Sequence, residues 1–377
     1  MDNDLIQKVL NDSSQLYSLP QTLVEVLRVT REEKSSADDL AGVLAKDPAL
    51  TTRVLRVVNS PYYGMARQVS SIKQAVVMIG MRQVTALALS ASVYRMTDKW
   101  ESTLDRMRFW RHSLSVSIAA RSIAEKAGNR NLEEVFVAGL LHDIGLLILE
   151  NSFPEEFRKI WKEAGRKGSL VDLEEEAWGT NHARVGQFLL EQWQIPAIIC
   201  EAVGRHHNVF TLGADDAEFI PGQIVNLANR ISPLPAGERR PVESDHERES
   251  KDIIRENLRL TTDDLLHIER NLLSNTVKES KYLEIDVGSN DDLLLEANRL
   301  LFDQYASVER LLSENRRLEK QRAGDQVKRG YLESFKSTAT ALTKYLDQSS
   351  TTILQKARRV EEGIESGSII DPEGVVR

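Results

Sequence analysis

Five of the chain's seven histidines fall between residues 112 and 207, and the residue types best suited to chemistry gather there. His112 shares a helical face with Val116, Ala119 and Ile123. His142 falls in line with Val135, Ala138 and Leu146, and His182 with Val185, Gly186, Leu189 and Trp193. His206 aligns with Ile199, Ala202 and Val203, and His207 follows it. On those faces each would point inward from a separate helix. A single histidine so placed is ordinarily a hydrogen-bonded core residue. Five of them, with Asp143 beside His142, need partners for their buried polar atoms, and they can serve one another or a metal. Imidazoles and one carboxylate arriving from several helices suit Zn, Fe or Mn. His112, His142, Asp143, His182, His206 and His207 are therefore the candidate metal ligands, with a metal-free core cluster as the alternative.

The elements that must position them are helices. Apolar residues recur at helical spacing almost everywhere and strand-like alternation is rare, so the fold class is all-α. A short amphipathic helix is expected over 4–16, and a second begins at Leu19-Pro20. Ser36 or Asp38 can cap the next, and Asp47-Pro48 starts another that stops near Asn59-Ser60-Pro61. Further helices are expected at 71–79, 81–96, 107–127, 132–150, 154–167, 172–177, 181–193, 196–206 and 218–231. Gly128-Asn129 and Gly168-Ser169 read as helix stops. Residues 59–64 read as a turn that packs one lobe against another.

Beyond residue 232 the composition changes. Pro233, Pro235, Gly237 and Pro241 lie in a polar stretch, read as a linker over 236–250. A helical extension follows over 251–290, with Thr261 or Thr262 as a cap. Leu294, Leu301, Val308, Asn315 and Arg322 fall at one heptad position, and Ala297, Gln304, Leu311 and Leu318 at the other. That pattern predicts a coiled coil over 291–322 and a homodimer through 294–322, with Asn315 setting register. Residues 323–377 read as a helical segment with a disordered tail.

Charge and cysteine content exclude several classes. A net charge of -8 repels nucleic acid and anionic lipid, so neither is an expected partner. Arg53, Arg56 and Arg67 read as a solvated face. The single cysteine, Cys200, permits no internal disulfide, which fits the cytoplasm. The N-terminus lacks the basic start and apolar core of a signal peptide. The most apolar run, residues 136–149, is interrupted by His142 and Asp143, and no stretch has the ~20 apolar residues of a membrane span.

Leu141-His142-Asp143-Ile144-Gly145 resembles the signature dyad of the HD phosphohydrolase superfamily. The surroundings narrow the likeness to the HDOD (HD-related output) domain. Leu19-Pro20, Asp47-Pro48-Ala49-Leu50, Asn59-Ser60, Ser71-Ile72 with Ala75, Ile79-Gly80, Trp110-Arg111-His112-Ser113, His182, Gly186, Trp193 with Pro196, and His206-His207 follow that family's order and spacing. The resemblance covers about residues 13–230. It implies two packed helical lobes within 1–235, one over about 13–100 and an HD-like lobe over about 101–235. It also implies a bacterial signalling protein that acts on partner proteins by contact.

Working HD enzymes use divalent metals to activate water and neutralise phosphate oxygens. Relative to them, His112 and the dyad His142-Asp143 match, but the distal acid falls at Asn229, whose neutral carbonyl binds hard cations less well. The resemblance to the subfamily that cleaves cyclic di-GMP extends to His182, His206 and His207. That subfamily's Gly-Tyr-Pro after the paired histidines is replaced by Asn208-Val209-Phe210-Thr211, and its lysine after the dyad by Leu146. The expectation is therefore a regulatory module with no catalytic residue and no established cofactor. The competing reading is a metal-dependent phosphohydrolase or cyclic-dinucleotide phosphodiesterase.

Overall fold

The structure is a computed structural model. It describes residues 18–97 except 33 and 62, then 100, 102, 104–164, 169–209, 220–232 and 245–288, and also 313, 316, 317, 336, 337 and 340. All regular structure among the described residues is helical. The chain divides into two compact units, Met1–Leu293 and Leu294–Arg377. The expected helix over 4–16, most of the linker, the coiled coil with Asn315, and the tail lie outside the described residues.

The N-terminal helices are α1 (Gln21–Arg31), α2 (Ala37–Leu44), α3 (Pro48–Val58), α4 (Ile72–Ile79) and α5 (Met81–Thr97). Local chemistry sets their starts. The Ser36 side chain accepts from the Asp39 amide in a reciprocal capping box, and Asp47 accepts from the Leu50 amide with Pro48 in the first turn. Asn59 closes α3 and ties down the loop beyond it: its amide donates to the carbonyls of Leu55 and Val69, and its oxygen accepts from the Val69 amide.

Ten further helices complete the described fold: α6 (Arg106–Lys126), α7 (Leu132–Leu141), α8 (Ile144–Ser152), α9 (Pro154–Glu163), α10 (Leu170–Trp178), α11 (His182–Gln192), α12 (Ala197–Gly204), α13 (Ile220–Ile231), α14 (Asp245–Asn257) and α15 (Thr262–Leu283). The long helix α6 is buried along most of its length and packs against α7, α13 and α15. Tyr63, on the loop after α3, donates its hydroxyl to Glu133 at 3.1 Å, and Arg121 pairs with the same carboxylate at 2.7 Å. The turn at 59–64 thus joins the N-terminal helices to α6 and α7, as its sequence suggested.

Four expectations need correction. The helix expected over 132–150 is two, broken at His142-Asp143. Adjacent residues on an unbroken helix point about 100° apart, and the break lets these two side chains meet. Ser169 starts a helix rather than stopping one, because its hydroxyl accepts from the Asp172 amide. The stretch read as linker over 236–250 is helical from Asp245, where good helix formers such as Glu247 and Arg248 outweigh the polarity that suggested a loop. Arg53, read as part of a solvated face, is only 7% exposed and is paired with Glu284 of the extension.

Candidate metal centre

Asp143 is the focus of the histidine cluster. Its Oδ2 lies 3.1 Å from His142 Nε2 and 3.9 Å from His112 Nε2. Its Oδ1 lies 3.4 Å from His182 Nε2 and 3.5 Å from His206 Nε2. His207 completes the group, with its Nε2 2.8 Å from His182 Nε2 and its ring 4.0 Å from that of His206. All six residues named from the sequence therefore come together. His112 comes from the middle of α6, and His142 and Asp143 from the α7–α8 break. His182 opens α11, and the paired histidines lie in the turn after α12 rather than on that helix. His112, His142, His182 and His206 are buried, whereas His207 is exposed and Asp143 partly so.

Close backbone approach makes this convergence possible. At Gly145, the second residue of α8, an added Cβ would sit 2.0 Å from the His182 carbonyl oxygen. Only glycine lets α8 come this near α11 and bring Asp143 to His182. Behind the paired histidines, Gln223 and Asn226 of α13 both donate to the Asn208 carbonyl at 2.9 Å, fixing the turn that carries His206 and His207.

The ring orientations are set from behind. His142 Nδ1 faces the Gly139 carbonyl at 2.8 Å and His206 Nδ1 faces the Val203 carbonyl at 2.6 Å. A carbonyl can only accept, so Nδ1 carries a proton in both rings and Nε2 is the atom turned to the cluster, a lone pair when the ring is neutral and a donor when it is protonated. Burial, the largest influence, helps lower His206 to about 4 despite the nearby Asp143 carboxylate. Burial alone would raise the Asp143 carboxyl, but the surrounding imidazoles, His142 foremost and then His182 and His206, hold it well below the usual carboxylate range.

Sequence reasoning missed Glu174. It lies on α10, is 0% exposed, and its Oε2 accepts from both His182 Nδ1 at 2.6 Å and the His182 amide at 2.9 Å. Burial opposes protonation of His182, yet Glu174 foremost, with Asp143, raises the ring to about 10. The sequence gives little sign of this, since Glu174-Glu175-Glu176 reads as a solvated acidic run.

These donors fit a divalent cation. His142 Nε2 and His206 Nε2 are buried and turned to the Asp143 carboxylate at 3.1 and 3.5 Å, where neither makes a well-formed hydrogen bond. While the rings are neutral each Nε2 lone pair faces a carboxylate oxygen, and either a proton on the ring or a metal ion between them relieves the repulsion. Two donor sets share Asp143: His112 with His142, and His182 with His206 and His207. Imidazole-rich donors with one carboxylate suit Fe, Mn or Zn, and Glu174 behind His182 is a common support for a metal-ligating histidine. Such a metal would supply an activated water and charge neutralisation for phosphate oxygens. Leu146, at the position of the lysine expected in cyclic di-GMP enzymes, is 3% exposed and part of the core. Asn229 is half-buried on α13.

Fold and cluster together define a helical HD-type domain. Residues 16–209 match the HDOD domain, and the chain belongs to that family. An uncharacterized protein of Treponema pallidum (strain Nichols) is 26% identical over 193 residues, which is 51% of this chain and 37% of that protein. The chain thus matches little more than a third of that relative's length. The crystal structure of an HDOD domain protein of unknown function from Geobacter sulfurreducens shares 25% identity at a TM-score of 0.58, covering 74% of this chain and 98% of that one. A structure from Shewanella amazonensis SB2B, named as a candidate phosphohydrolase, shares the fold at 24% identity and a TM-score of 0.55, with coverage of 74% and 98%. Among the described residues no helix is long and apolar enough to cross a membrane.

Proposed function

We propose that this HDOD chain is a regulatory protein of bacterial signal transduction that acts through protein contacts and does not hydrolyse phosphoesters. The observation that carries this reading is Leu146. One turn past the dyad it fills the core with an apolar side chain, where a phosphate-binding site would want a cation. Asn229 points the same way, because a neutral ligand in place of an acid weakens a hard-cation site. The cytoplasm, a reducing compartment, fits the chain's single, buried cysteine. Expected partners are signalling proteins, with neither nucleic acid nor membrane among them.

The decisive assay loads the protein with Mn or Fe and offers cyclic di-GMP and a simple phosphodiester. No turnover above a metal-only blank is expected. Turnover that His142→Ala abolishes in a folded protein would overturn the reading in favour of a metal-dependent phosphohydrolase, a class that the inward-turned Nε2 atoms of His142 and His206 would also suit.

We further propose that the chain forms a dimer through the heptads at 294–322. Light scattering of the full chain should then give twice the monomer mass, and truncation after Leu293 should leave a folded monomer. Equal oligomeric states for the two proteins would remove the coiled-coil reading.

A further inference from the structure

At the C-terminal end of α15 the chain makes an unusual exit. Glu284 adopts a left-handed conformation with φ of 57°. Glycine or asparagine is favoured at such a position, and another residue there is strained. The carboxylate shows what holds it. Oε2 pairs with Arg53 Nε at 3.1 Å, and Oε1 pairs with Arg56. Arg95, from the end of α5, adds its charge: burial would raise the Glu284 carboxyl, but Arg56, Arg53 and Arg95 together hold it below its ordinary value. Two guanidinium groups thus grip one carboxylate. The nearby Asp286 carboxylate accepts from the Gly288 amide at 3.0 Å.

Glu284 also begins a strap over residues 284–288. Ile285 and Val287 are buried, the Asp286 amide donates to the Tyr94 hydroxyl at 3.1 Å, and Arg111 donates to the Val287 carbonyl at 3.5 Å. Arg111 immediately precedes His112 of the metal cluster. A groove of about 340 Å³ runs beside the strap, lined by Val277, Ser280, Lys281 and the strap itself. Arg56 is exposed, whereas Arg53 is buried. A buried guanidinium requires an anion, so this is a preformed oxyanion site that the chain's own carboxylate fills. One carboxylate neutralises one of the two paired cations. A phosphate dianion would neutralise two, and its oxygens match guanidinium forks.

We propose that Arg53 and Arg56 form a phosphate-binding site for which Glu284 is the internal ligand, and that a phosphate group entering it displaces Glu284 and frees the strap. The strap continues in sequence toward the unit at Leu294–Arg377, so ligand binding at the N-terminal helices would loosen the segment leading to it. This deepens the regulatory reading and rests on it only for the output, since binding at the arginines stands or falls independently of any hydrolysis.

The test uses the full chain, stripped of metal so that the histidine cluster holds no phosphate, with inorganic pyrophosphate as the probe. Because a tethered carboxylate competes at high effective concentration, Glu284→Gln should bind pyrophosphate about tenfold or more tightly than wild type. Arg56→Ala, at an exposed position, should bind none while keeping its melting temperature. Saturating wild type should speed hydrogen exchange at the amides of Asp286 and Gly288 about tenfold or more, the mark of local opening. A nucleoside monophosphate and a phosphoserine peptide, each competed against pyrophosphate, distinguish a nucleotide source from a phosphorylated protein. The proposal fails if Glu284→Gln gains no affinity, if Arg56→Ala binds as wild type does, if exchange at 286 and 288 is unmoved, or if neither competitor displaces the probe.

Discussion

Replacing Asp143 with alanine should lower the melting temperature of metal-free protein by about 6–12 °C, from a loss of about 3 kcal/mol at 2–4 °C per kcal/mol. The carboxylate is the common neighbour of four imidazoles from four parts of the fold. Without it, protonated His182 loses one of its two anionic partners and the remaining rings face an empty centre. His142→Ala should cost about 1–3 kcal/mol, because the buried Gly139 carbonyl loses its donor. The Asp143 carboxyl is depressed below 3.8. Its stabilisation is therefore present in full above about pH 4, and the alanine penalty should shrink as the pH falls through the lower folded-state value. A cluster that serves only a metal predicts the reverse in chelator, where removing a buried charge leaves stability unchanged or raises it. Thermal melts of wild type and both variants, with and without chelator, separate the two. Loss confined to the metal-loaded sample would defeat the structural role.

Much of this architecture was legible because its signals are local. Asp47 before Pro48 and Thr261 before Asp264 announce helix starts through hydrogen bonds that close within three residues. Histidines on apolar faces announced a buried cluster, since inward-facing imidazoles must find partners. What escaped depends on distant chain segments. Nothing local marks residue 142 as a helix end, because the surrounding run is apolar throughout, and the break follows from bringing Asp143 to rings on α6, α11 and the turn after α12. Arg53 reads as a surface residue until Glu284, far along the chain, arrives to pair with it. Glu174 is the sharpest case. Its two neighbours in an acidic triplet have the same composition and helical context, and only the packing of α10 against the start of α11 selects it for burial.

Glu174 should accordingly carry the largest effect among residues that do not face the centre of the cluster. Its carboxylate accepts from His182 Nδ1, which aims Nε2 at Asp143 and His207. Loss of such a support typically lowers metal affinity about 10- to 100-fold, and Glu174→Gln should fall in that range for Mn or Fe, measured by calorimetric titration. A second readout needs no metal. His182 is raised from 6.5 to about 10, by Glu174 foremost among its charged partners. A raised folded-state pKa stabilises in full below the unfolded value, and the gain is lost as pH climbs toward the folded one. In chelator, wild type should therefore lose stability between about pH 6.5 and 10, whereas Glu174→Gln should be weaker at pH 6 and show a shallower decline. Urea denaturation at pH 6 and pH 9 measures both slopes. Glutamine keeps the volume and an acceptor oxygen, so a difference reports the charge rather than a cavity. Equal slopes together with unchanged metal affinity would reduce Glu174 to packing, and the orientation of His182 would then have to come from Asp143 and His207 alone.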